Sequence, residues 1–455
     1  VGQENGEREN MVTITFRPLI LRIIFLLSLV SGFGWLGWFI TRAAIGESII
    51  SYVQRDQRLS LEAKLEGADL AIRYAPRDPA IHWQRGGVYF TASEEPMESR
   101  IVTARNELRQ ATELSPEDYR VWLTLGRVLD RSGSGEEARA AFERALKLAP
   151  NHFETHWTLG NHLLRAGDRQ ASFTHLQAAL TSRPSALPII FDYAWNSFAG
   201  DGKEIIQALS PPRELIGQLV SLLILHGNID DAMVLWKEQK SPTIKDTQKV
   251  VESLINVGQY RTAYEVWTSS AIPDRPAPDA DSLLANGNFE QSLLINSSIP
   301  FYSWRIAPQG GDVRLTPDRT KPQEGERCLR ASFNVDLNKA IILATQVVPV
   351  KPKTKYCLSF YARTEDLLSL EPPYVEIFDA ADQKRASAES ERFKIRSNEW
   401  RKYEVELETA AETEALTVRL LRLPCPEPPC PIEGRLWVDG FKLNECKEGL
   451  RNKRK

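Results

Sequence analysis

The sequence predicts a multidomain chain: a single transmembrane helix, an all-α solenoid of helical repeats, and an all-β jelly-roll sandwich. Three observations predict it. The run Ile23–Ile40 holds 18 residues without a charge. Four helix-like endings place Ala five residues before Pro, at Pro76, Pro116, Pro150 and Pro184, with intervals of 40, 34 and 34. Beyond residue 282 the helical spacing gives way to alternation of apolar and polar residues. At 455 residues the chain is also too long for one ordinary core.

The apolar run, with its flanks, can cross a hydrocarbon core of about 30 Å. Trp35 and Trp38 lie toward its end, where indole favours the interface. A secretory signal peptide is the competing reading. Its apolar region would be shorter, roughly 7–15 residues, with a small-residue cleavage site behind it. Here Arg42 follows at once and "AAIG" is a poor site, which favours an uncleaved anchor. Arg8, Arg17 and Arg22 precede or enter the span, and Arg42, Arg55 and Arg58 follow it. The nearest charges slightly favour a cytoplasmic N-terminal flank. The expected localisation is single-pass in an inner membrane, with a periplasmic or extracellular body.

Around Pro150 more than the helix ending repeats. Residues 119–152 carry Trp122, Leu125, Gly126 and Leu129, then Ala138, Phe142 and Ala145, then Pro150. This resembles the tetratricopeptide repeat, a helix–turn–helix unit of 34 residues. The residue types have physical reasons. Gly126 and Ala138 let two helices approach, Phe142 fills the space between them, and Pro150 cannot continue the second helix. Residues 153–186 keep Leu159, Gly160, Leu163, Ala179 and Pro184, with the Trp displaced to Trp157. The unit before has Trp83, Gly87, Phe90, Ala104, Leu108, Ala111 and Pro116, and an insertion in "TASEEPMES". Residues 61–76 give a partial first unit. Past Pro184 two degenerate hairpins are expected, because Gly227–Trp236 and Gly258–Trp267 share a spacing of nine.

The resemblance implies a groove lined by the first helix of each unit. The matching faces hold Arg120, Leu123, Arg127 and Arg131, then Glu154, Trp157, Asn161 and Arg165. Asn161 and Arg165 are similar in type and place to residues that hold peptide carboxylates in some family members. A solvated face and a partner groove formed by Arg120, Arg127, Arg131, Trp157, Asn161 and Arg165 are the two readings. His152 and His156 have metal spacing, but His152 falls in a turn and His156 replaces the signature Trp.

The expected boundaries are a cytoplasmic tail 1–16, an anchor 17–42, a connecting helix 43–60 and repeats 61–272. The best units are 80–118, 119–152 and 153–186, with 187–272 degenerate. A Pro/Asp linker 273–282, a sandwich 283–446 and a basic tail 447–455 follow. "KYCLSFYART", "YVEIFDA", "WRKYEVELET" and "ALTVRLLRL" read as strands. The opening "NGNFE" and closing "VDGFKL" make segment 283–446 resemble the jelly rolls of carbohydrate-binding modules. That resemblance implies a structural calcium held by Glu290 and Asp439, although Gly440 stands where an acidic or amide residue is common. It also implies stacking platforms for a glycan. Tyr302, Tyr374 and Phe378 are the expected exposed aromatics, while Trp304, Trp400 and Trp437 sit at positions that are core in relatives.

All five cysteines lie in the last third of the chain. Cys425 and Cys430 close a Pro-stiffened loop, for which a disulfide, free thiols and zinc are the readings. No second C-x-x-C or nearby His supports zinc. The net charge of −3 and the lack of a long basic stretch argue against nucleic acid as a partner. No H-E-x-x-H, G-x-S-x-G or P-loop occurs, so no enzyme is expected. The expected function is a membrane-anchored extracytoplasmic scaffold that binds a protein partner, with a glycan-binding-like module, in bacterial surface-polysaccharide assembly or export. No cofactor beyond the calcium is implied. The alternative is a purely structural adaptor whose jelly roll binds no sugar.

Overall fold

The computed structural model describes residues 19–91, 98–270, 279–291, 293, 302–306 and 313–446. The expected tails 1–16 and 447–455, most of the insertion (92–97) and linker residues 273–278 lie outside the described residues. Helix α1 (Leu19–Arg55) is long and apolar enough to cross a membrane: its most apolar 18-residue stretch has a mean hydropathy of 2.0 and is not buried. Its character changes near Ala43. From there Ala43, Gly46, Ile50 and Val53 turn a stripe inward against α2 (Leu61–Tyr74). Their spacing of three and four places them on one face. Residues 43–55, expected as a connector, are therefore the first helix of the repeat that ends at Pro76.

Three further hairpins follow: α3 (Pro79–Thr91) with α4 (Glu98–Leu114), α5 (Tyr119–Arg131) with α6 (Gly135–Leu148), and α7 (Phe153–Arg165) with α8 (Arg169–Ser182). The recurring proline marks a recurring hydrogen bond. Trp122 Nε1 donates to the Pro116 carbonyl oxygen at 2.9 Å. His156 Nε2 meets the Pro150 carbonyl at 2.7 Å, and His82 Nε2 meets that of Pro76 at 2.9 Å. Each of these three prolines ends one unit, and its carbonyl is held by the ring six residues on; at Pro184 the residue six on is Ile190 and the pattern stops. His82 and His156 thus fill the signature Trp place. This resets the register of the second unit: Gly86, not Gly87, faces the partner helix, with Leu108 Cγ 2.7 Å from an added Cβ. The same test at Gly126 meets the Phe142 ring at 2.4 Å, so the two helices of that unit touch through the missing side chain.

A second regularity lies at the turns inside the hairpins. Gly133, Gly167, Gly200, Gly227 and Gly258 all have φ between 79° and 92°, which L side chains adopt only with strain. Each is followed nine residues later by a buried apolar side chain: Phe142, Leu176, Leu209, Trp236 and Trp267. The degenerate region therefore holds three hairpins rather than two. They are α9 (Leu187–Ser197) with α10 (Gly202–Leu209), α11 (Ile216–Leu225) with α12 (Ile229–Lys237), and α13 (Ile244–Asn256) with α14 (Tyr260–Ser269).

The chain divides into two compact units at Ala186/Leu187, apart from Ala208–Ser210, which belong with the first. The second unit joins the last hairpins to the β-sandwich. One sheet has the order β1 (Arg305–Ile306), β4 (Ile341–Pro349), β9 (Ala415–Arg422), β6 (Tyr374–Asp379), β7 (Ser387–Glu389). The other has β2 (Val313–Asp318), β3 (Cys328–Asp336), β10 (Pro431–Glu445), β5 (Lys355–Ser369), β8 (Arg396–Glu408). Leu358, Phe360, Val375, Ile377, Val418, Leu436 and Phe441 fill the space between them. Residues 279–282, placed in the linker by composition, lie on this sandwich. Leu443 N donates to Ser282 Oγ at 3.1 Å, and Gly287 N donates to Asp279 at 2.9 Å.

Candidate functional site

The first unit gathers three arginines of the expected groove. Arg127 and Arg131 on α5 and Arg165 on α7 line a cavity of about 680 Å³ with Phe90, Thr158 and His162. Their charges are not unopposed. Arg127 pairs with Glu154 at 3.1 Å and donates to Thr158 Oγ1 at 3.2 Å. Arg165 pairs with Asp130, which also meets His162 Nδ1 at 2.7 Å. Arg131 lies over the Phe90 ring at 5.9 Å. The expected basic balance is thus set against two carboxylates, Asp130 in the cavity lining and Glu154 paired with Arg127. Arg120 stands apart, bonded to its own helix cap Asp118 and stacked over Trp83 at 4.9 Å. Asn161 donates to the Trp157 carbonyl one turn back, at 2.8 Å, and the Trp157 ring stacks on Phe153. Leu123, expected on the groove face, is buried in the core.

The histidines have structural partners. His156 meets His175 at 3.2 Å between their Nδ1 atoms, and His152 caps α7. No group of three or more His, Cys, Asp or Glu suited to a metal occurs among the described residues.

On the sandwich, the outer face of the β6 sheet carries a polar row. Glu389, Glu376, Arg419, Thr345 and Arg305 are successive cross-strand partners on β7, β6, β9, β4 and β1, and directly opposed residues share a face. Tyr374 and Phe378 flank Glu376 on that face. They were expected to be exposed and are not: 2% and 9% of their surfaces are accessible. Guanidinium groups cover them, Arg392 at 3.6 Å from the Tyr374 ring centre and Arg419 at 4.6 Å from that of Phe378. The row can hydrogen-bond hydroxyl groups, but its aromatic faces are already stacked. Tyr302 is also buried, against Tyr264 and Tyr260 of α14. Trp304 and Trp437 are core residues, with Nε1 bonded to the Asn286 carbonyl and to Asp318. Trp400 is half-buried and donates to the Lys321 carbonyl.

Glu290 and Asp439 act on one loop. Asp439 accepts from the main-chain N–H of Gln323 and Glu324 at 2.9 and 3.2 Å, and Glu290 from those of Glu326 and Arg327 at 2.6 and 2.9 Å. Burial pushes the Asp439 carboxyl up to about 6, against those hydrogen bonds and with the nearby Glu290 charge adding to it. Gln323 Oε1 is buried and has no hydrogen-bond partner among the described residues. It lies 3.8 Å from where a Cβ on Gly440 would stand, so a carboxamide from another loop occupies the neighbourhood that Gly440 leaves open. Two carboxylates and an orphaned amide oxygen fit a hard cation, whose remaining ligands would be main-chain oxygens.

The cysteines pair twice. Cys425 bonds to Cys430, and Cys357 at the start of β5 bonds to Cys446 beyond the end of β10. The second pairing has no sequence signal, since 89 residues separate the partners. Cys328 is a buried free thiol, pushed up to about 12 by burial and by Asp439 and Asp318 nearby. The small Cys425–Cys430 loop covers the buried Arg422, which donates to the carbonyl oxygens of Cys430 and Leu337 at 2.8 and 3.0 Å.

Residues 97–163 match the tetratricopeptide repeat family, and residues 281–422 match a carbohydrate binding domain family. The chain joins a tetratricopeptide-repeat scaffold to a carbohydrate-binding-type domain. Solved structures are similar at low identity. MamA from Desulfovibrio magneticus RS-1 is 15% identical, with 50% of this chain and 92% of that one covered and a TM-score of 0.28. The first tetratricopeptide domain of Spaghetti (RPAP3), bound to an HSP90 peptide, is 17% identical, with 29% and 94% covered and a TM-score of 0.24. A Thermobaculum terrenum O-GlcNAc transferase mutant is 22% identical, with 31% and 26% covered and a TM-score of 0.28. No curated protein matches the chain. Likeness at this level transfers neither ligand nor activity.

Proposed function

We propose that this protein is a membrane-anchored scaffold with its body outside the cytoplasm. The repeat opening holds an anionic segment of a protein partner, and the sandwich face holds a glycan. The observation that carries the reading is the convergence of Arg127, Arg131 and Arg165 on one cavity. Their carboxylate partners are exchangeable: a peptide carboxylate entering the cavity can replace Asp130 or Glu154 as an ion-pair acceptor. Two disulfides confined to the carbohydrate-binding-type domain support an oxidising compartment. The exposed apolar half of α1 supports anchoring. A single anchor, a repeat scaffold and a sugar-binding fold together suit bacterial surface-polysaccharide assembly, where a polymer and the proteins that handle it must be held at one membrane.

The test is affinity capture from solubilised membranes with the full chain, beside Arg127→Glu with Arg165→Glu. Recovery of an extracytoplasmic partner by the wild type, lost in the double variant, supports the reading. Equal recovery by both, or cytoplasmic partners only, overturns it. A second reading, an adaptor whose sandwich binds no sugar, is favoured by the guanidinium groups already stacked on Tyr374 and Phe378. Binding to a bacterial polysaccharide array that Arg419→Ala weakens would decide for the glycan. No binding across the array would decide for the adaptor.

A further inference from the structure

Helix α1 runs without interruption from its apolar segment into the first repeat. Where it crosses from one environment to the other, a cavity of about 590 Å³ opens beside it. Trp35, Trp38, Phe39 and Arg42 form one wall, and the turn Tyr74–Pro79 after α2 forms the other. The helix wall is a single stripe, since these residues stand at i, i+3, i+4 and i+7. Trp35 stacks on Phe39 with ring centres 5.9 Å apart. Arg42 lies over the Trp38 ring at 4.7 Å and donates to the Arg73 carbonyl at 2.5 Å, at the end of α2.

The cavity is graded along the helix axis. From Trp35 to Arg42 the rise is about 10 Å, at 1.5 Å per residue. The lower end is indole and phenyl, from Trp35, Trp38 and Phe39. The upper end carries Arg42 and Arg77. Asp78, the acidic group in the lining, is engaged in capping α3 through Ala80 N at 2.8 Å. The run Ile23–Ile40 measures about 27 Å as a helix, close to the thickness of a hydrocarbon core. With that run in a bilayer, the aromatic end lies at the acyl boundary and the guanidinium groups lie at the phosphate layer. A molecule filling this space must be apolar below and anionic above.

We propose that this junction is a binding site for one glycerophospholipid of the surrounding bilayer, its phosphodiester held by Arg42 and Arg77 and its acyl–glycerol portion by Trp35, Trp38 and Phe39. The proposal rests on the anchored reading of α1. It gives the turn that closes the first repeat a second role. The lipid fixes the angle between the span and the repeat array, because it touches both α1 and the end of α2.

The test uses the full chain in nanodiscs of phosphatidylglycerol. After extraction into detergent and washing, native mass spectrometry counts the phospholipid retained. The wild type should keep one molecule. Arg42→Gln with Arg77→Gln should lower retention on the order of thirtyfold, since each cation near the surface contributes about 1 kcal/mol. Trp38→Ala should lower it independently of charge. Unchanged retention in both variants, or a wild type that keeps none, overturns the site. Carbonate extraction of native membranes is read in parallel. A chain that stays in the membrane leaves the anchored reading standing whatever the lipid count. A chain that is extracted overturns that reading and this proposal together.

Discussion

Tyr302 donates its hydroxyl to the main-chain oxygen of Tyr260, and the Tyr260 hydroxyl donates to the Ala380 carbonyl at 2.9 Å. Two phenols thus lace α14 to the sandwich. Tyr302 is 3% exposed and meets the edge of Tyr264, and burial pushes its hydroxyl far above the usual phenol range. The Tyr260 carbonyl, at the first position of α14, keeps its helical donor, so removing the Tyr302 hydroxyl loses one hydrogen bond, about 0.5–1.5 kcal/mol. Tyr302→Phe should therefore lower the unfolding free energy of the second unit by that amount in urea. It should also speed proteolysis between α14 and β1. Unchanged cleavage would show that the lacing does not hold the hairpin.

Gly126 has a similarly local test. An added Cβ would stand 2.4 Å from the Phe142 ring, between α5 and α6. Gly126→Ala should destabilise the first unit by about 1–3 kcal/mol through overpacking. Phe142→Leu in the same chain should recover part of that cost. The measurement is a double-mutant cycle in denaturant, and additive costs would contradict direct contact.

Much of this architecture was legible because the constraints are local. A proline cannot continue a helix, so Pro76, Pro116, Pro150 and Pro184 count the first four repeats. What was missed depends on geometry across the chain. Two adjacent glycines, Gly86 and Gly87, look alike in sequence, and only the hydrogen bond from His82 to Pro76 fixes which faces Leu108. The first helix of the first repeat was hidden in the stretch after Arg42, which reads as a connecting helix because Gly46, Ile50 and Val53 carry none of the repeat's aromatic signature. Tyr374 and Phe378 alternate correctly to the outer sheet face, yet arginines distant in sequence cover them. Cys357 and Cys446 meet because β5 and β10 pair, with Cys357 opposite Asn444.

His82 predicts a pH dependence. Its Nδ1 meets Glu107 at 2.7 Å and its Nε2 the Pro76 carbonyl at 2.9 Å, so both partners are acceptors and the ring serves best with two N–H groups. Burial opposes the charge, but these hydrogen bonds outweigh it and raise the histidine above 6.5. A group raised on folding contributes stability that is present below its unfolded value and lost as pH rises through its folded one. Hydrogen-exchange protection in α3 and α4 should accordingly fall as pH is raised from 6.5, after correction for intrinsic exchange. In His82→Phe that fall should vanish, with protection lower at acidic pH than in the wild type.

The two disulfides should differ in weight. Loop-closure entropy gives about 4–5 kcal/mol for a separation like that of Cys357 and Cys446, and about 2 kcal/mol for the short Cys425–Cys430 loop. Cys357→Ser with Cys446→Ser should therefore shift the sandwich's denaturant midpoint further than Cys425→Ser with Cys430→Ser. Reductant should give about the sum of the two shifts in the wild type and about the smaller shift in the first double variant. Equal shifts would mean that the covering of Arg422 by the small loop outweighs chain entropy.

Asp439 and Glu290 make the cation question decidable by melting alone. Without a cation, the Asp439 carboxyl is raised to about 6 from 3.8, so its contribution to folding is largest at acid pH and is lost as pH rises through 6. A hard cation reverses that trend, because it binds the ionised carboxylate and offsets its burial. The expected result is a sandwich that melts higher in calcium than in chelator at neutral pH, with the gap closing as pH falls below 6. Asp439→Asn should melt at the same temperature in both. A wild type indifferent to calcium at neutral pH would mean that the five main-chain N–H groups donated to these two carboxylates satisfy the site by themselves. The orphaned Gln323 oxygen would then need another partner.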